Sequence, residues 1–147
     1  MMNLQVFKYA VVIASAISAP IVLATDRNRP SRSDSYVERA ADIAVEQPGP
    51  HEGDGTTTAY PFFEHASDFD LVFRRRALHP GASIGEHTND KDEIYYIVSG
   101  RGELMLDGKR SQVAAGDAVL TRNGSRHGLR QIGAQDLSII VVYRRKR

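Results

Sequence analysis

The chain has 147 residues, room for one domain around a single hydrophobic core, and its 41% hydrophobic and 25% charged residues are those of an ordinary globular protein. A net charge of +1 argues against a nucleic-acid-binding surface, so the basic runs Arg74-Arg75-Arg76 and Arg144-Arg145-Lys146-Arg147 are local features, the second read as a solvated tail. The absence of cysteine excludes disulfides, thiolate zinc sites, iron–sulfur clusters and a cysteine nucleophile, which leaves five histidines, the carboxylates and the amides as metal ligands.

The N-terminus reads as an export signal. Lys8 supplies a positive charge, a mostly apolar run follows from Tyr9 to Leu23, and Val22-Leu23-Ala24 resembles a small-x-small cleavage site. The run is shorter than the roughly 20 residues a bilayer span needs. A signal over residues 1–24 implies a periplasmic or secreted protein with no stable membrane insertion after cleavage; an uncleaved anchor is the alternative. Residues 25–58 read as a flexible extension, polar around Pro30, with a short helix expected within Tyr36 to Val45 from the spacing of Val37, Ala40, Ala41 and Ala44. Pro48, Gly49, Pro50, Gly53 and Gly55 argue against any regular element from Gln47 to Thr58, which places the start of the folded domain, 59–147, near Ala59.

From there the pattern is one of strands. Asp70 to Leu78 is compatible with a strand and ends at a Pro80-Gly81 turn. Glu93 to Val98 is rich in β-branched and aromatic residues and ends at Ser99-Gly100. Glu103 to Leu106 and Ser111 to Ala114 flank Asp107-Gly108, a two-residue hairpin signal. Ala118 to Thr121, His127 to Ile132 and Leu137 to Tyr143 follow, separated by turn signals that include Asn123-Gly124. Short strands with turns about every 8–12 residues indicate an all-β sandwich or barrel.

The polar residues suited to metal binding gather in two places. His87 and Asn89 are two apart, so on a strand they share a face, and Glu93 opens a strongly apolar strand where a buried carboxylate needs a partner. The turn Arg122 to Ser125 delivers His127 to the next strand. Two imidazoles and a carboxylate suit a first-row divalent ion with coordination positions left open; Asn89 either adds a weak carbonyl ligand or hydrogen-bonds a metal-bound water. If Glu93 points inward, Tyr95 and Ile97 share its face, and Leu129 and Gln131 share that of His127. Tyr95 and Gln131 are therefore candidate substrate contacts, Tyr95 equally a core residue with a satisfied hydroxyl. Within Arg74-Arg75-Arg76 alternation turns at least one guanidinium inward if the strand is regular, and Arg75 is the candidate for holding an anionic substrate; a stem lying outward on the barrel surface is the alternative. His51, His65 and His79 share no spacing with a second ligand.

These spacings resemble those of the cupin family. Gly81, His87, Asn89, Glu93 and Gly100 fall at the positions of the first cupin motif, with Asn89 in place of a histidine. Gly116, Gly124 and His127 fit the second motif, where Arg122 replaces proline and Gln131 replaces asparagine, and the segment between motifs, Arg101 to Ala115, is the short form. The resemblance implies a double-stranded β-helix, or jelly-roll barrel, preceded by a short irregular or helical extension. It implies one divalent transition metal (Fe, Mn or Zn) on His87, Glu93 and His127, with Asn89 as a further ligand at most. It also implies a small-molecule ligand or substrate in the barrel and a homodimer. Metal-dependent enzyme, non-catalytic binding module, and structural dimer with a weak or empty site are all compatible with it.

Overall fold

The computed structural model describes residues 35–66 and 68–145. The expected export signal and residues 25–34 of the extension lie outside the described residues, as do Lys146 and Arg147 of the basic tail. Ten strands follow one helical turn, α1 (Ala40–Ile43): β1 (Val45–Pro48), β2 (Thr56–Tyr60), β3 (Leu71–Leu78), β4 (Ser83–Thr88), β5 (Glu93–Ser99), β6 (Arg101–Leu106), β7 (Lys109–Ala114), β8 (Ala118–Thr121), β9 (Arg126–Ile132) and β10 (Leu137–Arg144).

The strands form a six-stranded sheet in the order β1-β2-β3-β10-β5-β8 and a four-stranded sheet in the order β4-β9-β6-β7. From β3 onward the chain alternates between the sheets, except where the β6–β7 hairpin stays within one, and every pairing is antiparallel. This is the all-β jelly roll that the turn spacing implies. Its core is filled from both inner faces, by Leu78, Ile97 and Ile139 from one sheet and Ile84, Leu104 and Leu129 from the other. Period-two alternation holds along β5: Glu93, Tyr95 and Ile97 are buried, while Ile94, Tyr96 and Val98 are exposed. The Asp107-Gly108 pair adopts positive φ at both residues (48° and 76°), the twist-matched geometry of a two-residue hairpin, and Leu106 pairs with Lys109 across it.

The short helix expected within Tyr36 to Val45 is present, and one expectation about the extension is corrected. The helix is the single turn α1, which buries no residue and has no side-chain cap, because no apolar surface receives its alanine face. The Gly/Pro-rich stretch is not irregular throughout, and strand structure begins at Val45 rather than near Ala59. Strand β2 adds to the edge of β3, Thr57 opposite Leu78, and β1 adds to β2. An existing sheet edge overrides weak local propensity, and Pro48 is tolerated because β1 is itself the edge. Finally, β4 carries no clean alternation in sequence. It is bulged: Ile84 lies opposite Leu129 and His87 opposite His127, three steps on β4 against two on β9.

Candidate metal centre

That bulge decides where the first imidazole goes. Ile84 faces the core, and strict alternation from it would turn His87 outward; the extra residue at Gly85-Glu86 returns His87 to the inner face, directly across from His127. Gly128 makes room for it, since a Cβ there would lie 3.0–3.2 Å from Glu86 atoms. The two imidazole centroids are 4.4 Å apart. Strand β5 supplies Glu93 from the opposite sheet, and one donor atom from each of His87, Glu93 and His127 falls within 4.8 Å of the others. Donors at about 2.1 Å from a common ion stand roughly 3–4.2 Å apart, so small side-chain adjustments close the set around one metal.

The donor chemistry fits a divalent ion. His87 donates from Nδ1 to the Gly85 carbonyl (2.9 Å), which leaves its Nε2 lone pair free. His127 is fully buried; its Nε2 lies 3.0 Å from the Tyr95 hydroxyl and 3.8 Å from Glu93, and its Nδ1 has no hydrogen-bond partner. Burial, then the neighbouring His87, lowers the His127 pKa to about 4, against a partial offset from the Ser125 backbone. The contact with Glu93 is therefore one of a neutral imidazole with a carboxylate, not a salt bridge, and a neutral imidazole is the form that binds metal.

This depressed pKa has a measurable consequence in the metal-free protein. Below its ordinary pKa of 6.5 the unfolded chain protonates His127 and the folded chain does not. The stabilisation is thus complete above pH 6.5 and is lost as pH falls toward 4, by about 3 kcal/mol in all. Urea unfolding across that range should show this slope in the wild-type protein and a flatter one in His127→Gln; equal slopes would place the imidazole in a solvated environment.

The backbone holds both ends of the site. Asn89 accepts a bond at its carbonyl from Gly124 (2.8 Å), and Asp92 accepts one from the Asn123 amide (2.9 Å) while pairing with Arg122 (3.2 Å). The turn after β4 is thereby fastened to the turn that precedes His127. Asn89 lies just beyond β4, and its amide Nδ2 donates to Glu93 Oε2 at 2.6 Å. It orients the carboxylate in this arrangement. Tyr95 is buried with its hydroxyl on His127, and burial, then Glu93, pushes its pKa well above the ordinary value, so it stays a neutral phenol.

Two candidate substrate contacts are placed elsewhere. Gln131 shares the inner face with His127 but sits four residues along β9, about 13 Å in an extended strand. Its amide accepts from Gly81 N (2.7 Å) and donates to the carbonyls of Gly133 (3.0 Å) and Gln135 (2.6 Å), tying loops together. Arg75 points outward, over the Tyr60 ring (4.4 Å) and onto Ser138 Oγ (3.2 Å). The inward arginines are Arg74 and Arg76, because β3 pairs Arg76 with the core residue Ile139 and Arg75 with Ile140. Arg74 pairs with Glu64 (3.5 Å). Arg76 bonds neutral partners, Thr57 Oγ1 (2.6 Å) and Gln47 Oε1 (3.3 Å), and among the described residues it has no carboxylate partner. Burial, then Arg74, lowers its pKa, and its charge acts on both Tyr95 and His51.

His51, which no spacing singled out, is also here. Its ring stacks on His87 with centroids 3.5 Å apart and planes within 6°. Burial, then His87, Lys91 and Arg76, lowers its pKa. Its signal is not in the sequence, since the contact joins residues in different elements through a loop. His79 bonds Thr58 and Asp136, and His65 is exposed, as a site of no chemistry would be.

A family model described as a cupin domain matches residues 74–143, the stretch that carries β3 to β10 and all three clustered donors. This stretch is a cupin domain. Over 72 residues the chain is 38% identical to an oxalate-binding protein of Thermotoga maritima, a match that covers 48% of this chain and 60% of that protein's length. The fold matches the crystal structure of a predicted oxalate decarboxylase from Thermotoga maritima with a TM-score of 0.68 at 29% identity, over 74% of this chain and 98% of that one. A polyketide cyclase from Streptomyces resistomycificus matches with a TM-score of 0.65 over 78% of this chain and 82% of its own; at 22% identity the likeness is one of fold alone. The cupin barrel thus accounts for the two-sheet architecture and for the His/Glu/His cluster.

Proposed function

We propose that the barrel binds one divalent transition metal on His87, Glu93 and His127 and presents it to a small anionic molecule, with Arg76 as the charge that selects the anion. The convergence of the three donors within 4.8 Å, drawn from both sheets, carries this reading. Iron, manganese and zinc all suit two imidazoles and a carboxylate. A bound ion would supply Lewis-acid polarisation of a ligand oxygen. The chain's own residues divide the remaining work: the Gly85 carbonyl fixes the His87 tautomer, Asn89 holds Glu93, and Tyr95 offers a neutral hydroxyl beside His127. Arg76 lacks a carboxylate partner among the described residues, which favours an anionic occupant. The name of the Thermotoga relative, an oxalate-binding protein, supports a small carboxylate as the ligand class.

The proposal extends to export, on the strength of residues 1–24 of the sequence, and to a homodimer, for which the exposed Ile94, Tyr96, Val98 and Leu120 provide apolar surface. A second reading is a non-catalytic barrel with a weak or empty site. It is favoured by the donors' contacts with one another, Asn89 on Glu93 and Tyr95 on His127, which satisfy them in part without an ion. Elemental analysis of the purified full chain, alongside Glu93→Ala, separates the two. About one equivalent of a transition metal, absent from the variant, is expected under the first reading. No metal in either sample after reconstitution would leave the second.

A further inference from the structure

We propose that His51 is a positioning residue of the metal centre: stacked face to face on His87, it fixes the plane of that ligand and slows the departure of the ion. The proposal rests on His87 being a metal ligand, as argued above. His87 is the half-buried member of the set, whereas Glu93 and His127 are buried, so solvent reaches the centre most readily beside His87. The His51 ring covers one face of that ligand at 3.5 Å.

The β1–β2 connection is built to hold His51 there. Gly85 N donates to the Pro50 carbonyl (3.0 Å), Ser83 N to the Asp54 carbonyl (2.9 Å) and Asp54 N to Ser83 Oγ (2.8 Å), so the loop is fastened to β4 by its backbone. The approach is too close for side chains: a Cβ on Gly85 would lie 2.0 Å from the His51 carbonyl oxygen, and one on Gly53 would lie 2.0 Å from that of Ser83. At the tip His51 and Glu52 both take left-handed φ angles, 54° and 60°, a conformation that is unfavourable for residues other than glycine. The strained tip sits over a metal ligand, where stored strain commonly has a functional reason. Among the described residues the His51 ring makes no hydrogen bond, so anchoring the loop does not account for the imidazole.

The stack is also coupled to the metal. Coordination draws electron density out of the His87 ring, and an electron-rich neutral ring lying against it is attracted more strongly than in the metal-free state. By linkage, a contact that strengthens on metal binding tightens metal binding by the same factor. Outer partners of metal ligands are typically worth about 10–100-fold in affinity, and a stack without a hydrogen bond belongs at the lower end, about tenfold.

The test compares the full-length wild type with His51→Asn and His51→Phe. Asparagine tolerates the left-handed backbone and deletes the ring; phenylalanine keeps a ring to stack. Apo protein is titrated with Co(II) alone, followed by its visible absorption, and the dissociation rate is taken on adding chelator. His51→Asn should bind about tenfold more weakly and release faster, with His51→Phe close to wild type. Wild-type affinity in His51→Asn, or equal weakness in both variants, overturns the stacking role. Nitrogen-resolved NMR of the apo protein gives a readout without metal: the His87 ring signals and its Nδ1-bound proton should shift or broaden in His51→Asn, and unchanged signals overturn the proposal. A wild type that takes up no Co(II) fails the metal-centre reading itself, and the role of His51 falls with it. Weak variants beside a well-loaded wild type test His51 alone.

Discussion

Replacing His127 with alanine is expected to take metal content from about one equivalent to near zero, because the loss of a direct ligand exceeds the roughly 10–100-fold cost of losing an outer partner. One feature makes this variant informative. The side chain is fully buried opposite His87, so no other described histidine replaces it from the surface. The substitution leaves a cavity and takes a partner from the buried Tyr95 hydroxyl, so circular dichroism has to show the strand signal intact before the metal content is read. Metal at wild-type content in a folded His127→Ala protein would sink the ligand assignment. The corresponding Asn89→Ala protein should retain metal, more weakly, since that amide acts through Glu93.

Replacing Arg76 with methionine is expected to weaken binding of a small dicarboxylate such as oxalate by about 10- to 100-fold, the value of a charge-assisted hydrogen bond. Methionine preserves much of the apolar stem on the inner face and removes the charge. The adjacent Arg75→Met is the control, because Arg75 lies outside the barrel on Tyr60 and Ser138 and should leave affinity unchanged. Calorimetric titration of the metal-loaded proteins reads both. Equal affinities in Arg76→Met and wild type would remove the guanidinium from ligand recognition, whereas losses in both variants would point to a general charge effect.

The contrast between Arg75 and Arg76 shows how far the sequence could be read. Alternation guaranteed that the three arginines divide between the faces, but it does not fix the parity. Leu78, two residues after Arg76, is a core residue, and that link becomes visible only once β10 sets the register through Ile139. Along β5 the grouping was legible but its parity was conditional on Glu93 pointing inward, because Ile94, Tyr96 and Val98 are as apolar as the buried set; the structure buries Glu93, Tyr95 and Ile97. Gln131 had the right parity and the wrong height: the face was correct, but its amide serves the loops at the other end of its strand.

The sequence by itself determined the fold class and the three clustered donors, because turn chemistry and period-two patterning are local and the motif spacings tie His87, Glu93 and His127 to particular strand ends. Only the tertiary structure decided what surrounds them. The β4 bulge turns His87 inward by a register shift against β9, the edge of β3 recruits β1 and β2 from a stretch with poor strand propensity, and the connection between those strands brings His51 onto His87. Each of these depends on a partner distant in the chain. A residue's own neighbours state which conformations it tolerates, and the surface it docks against selects one of them.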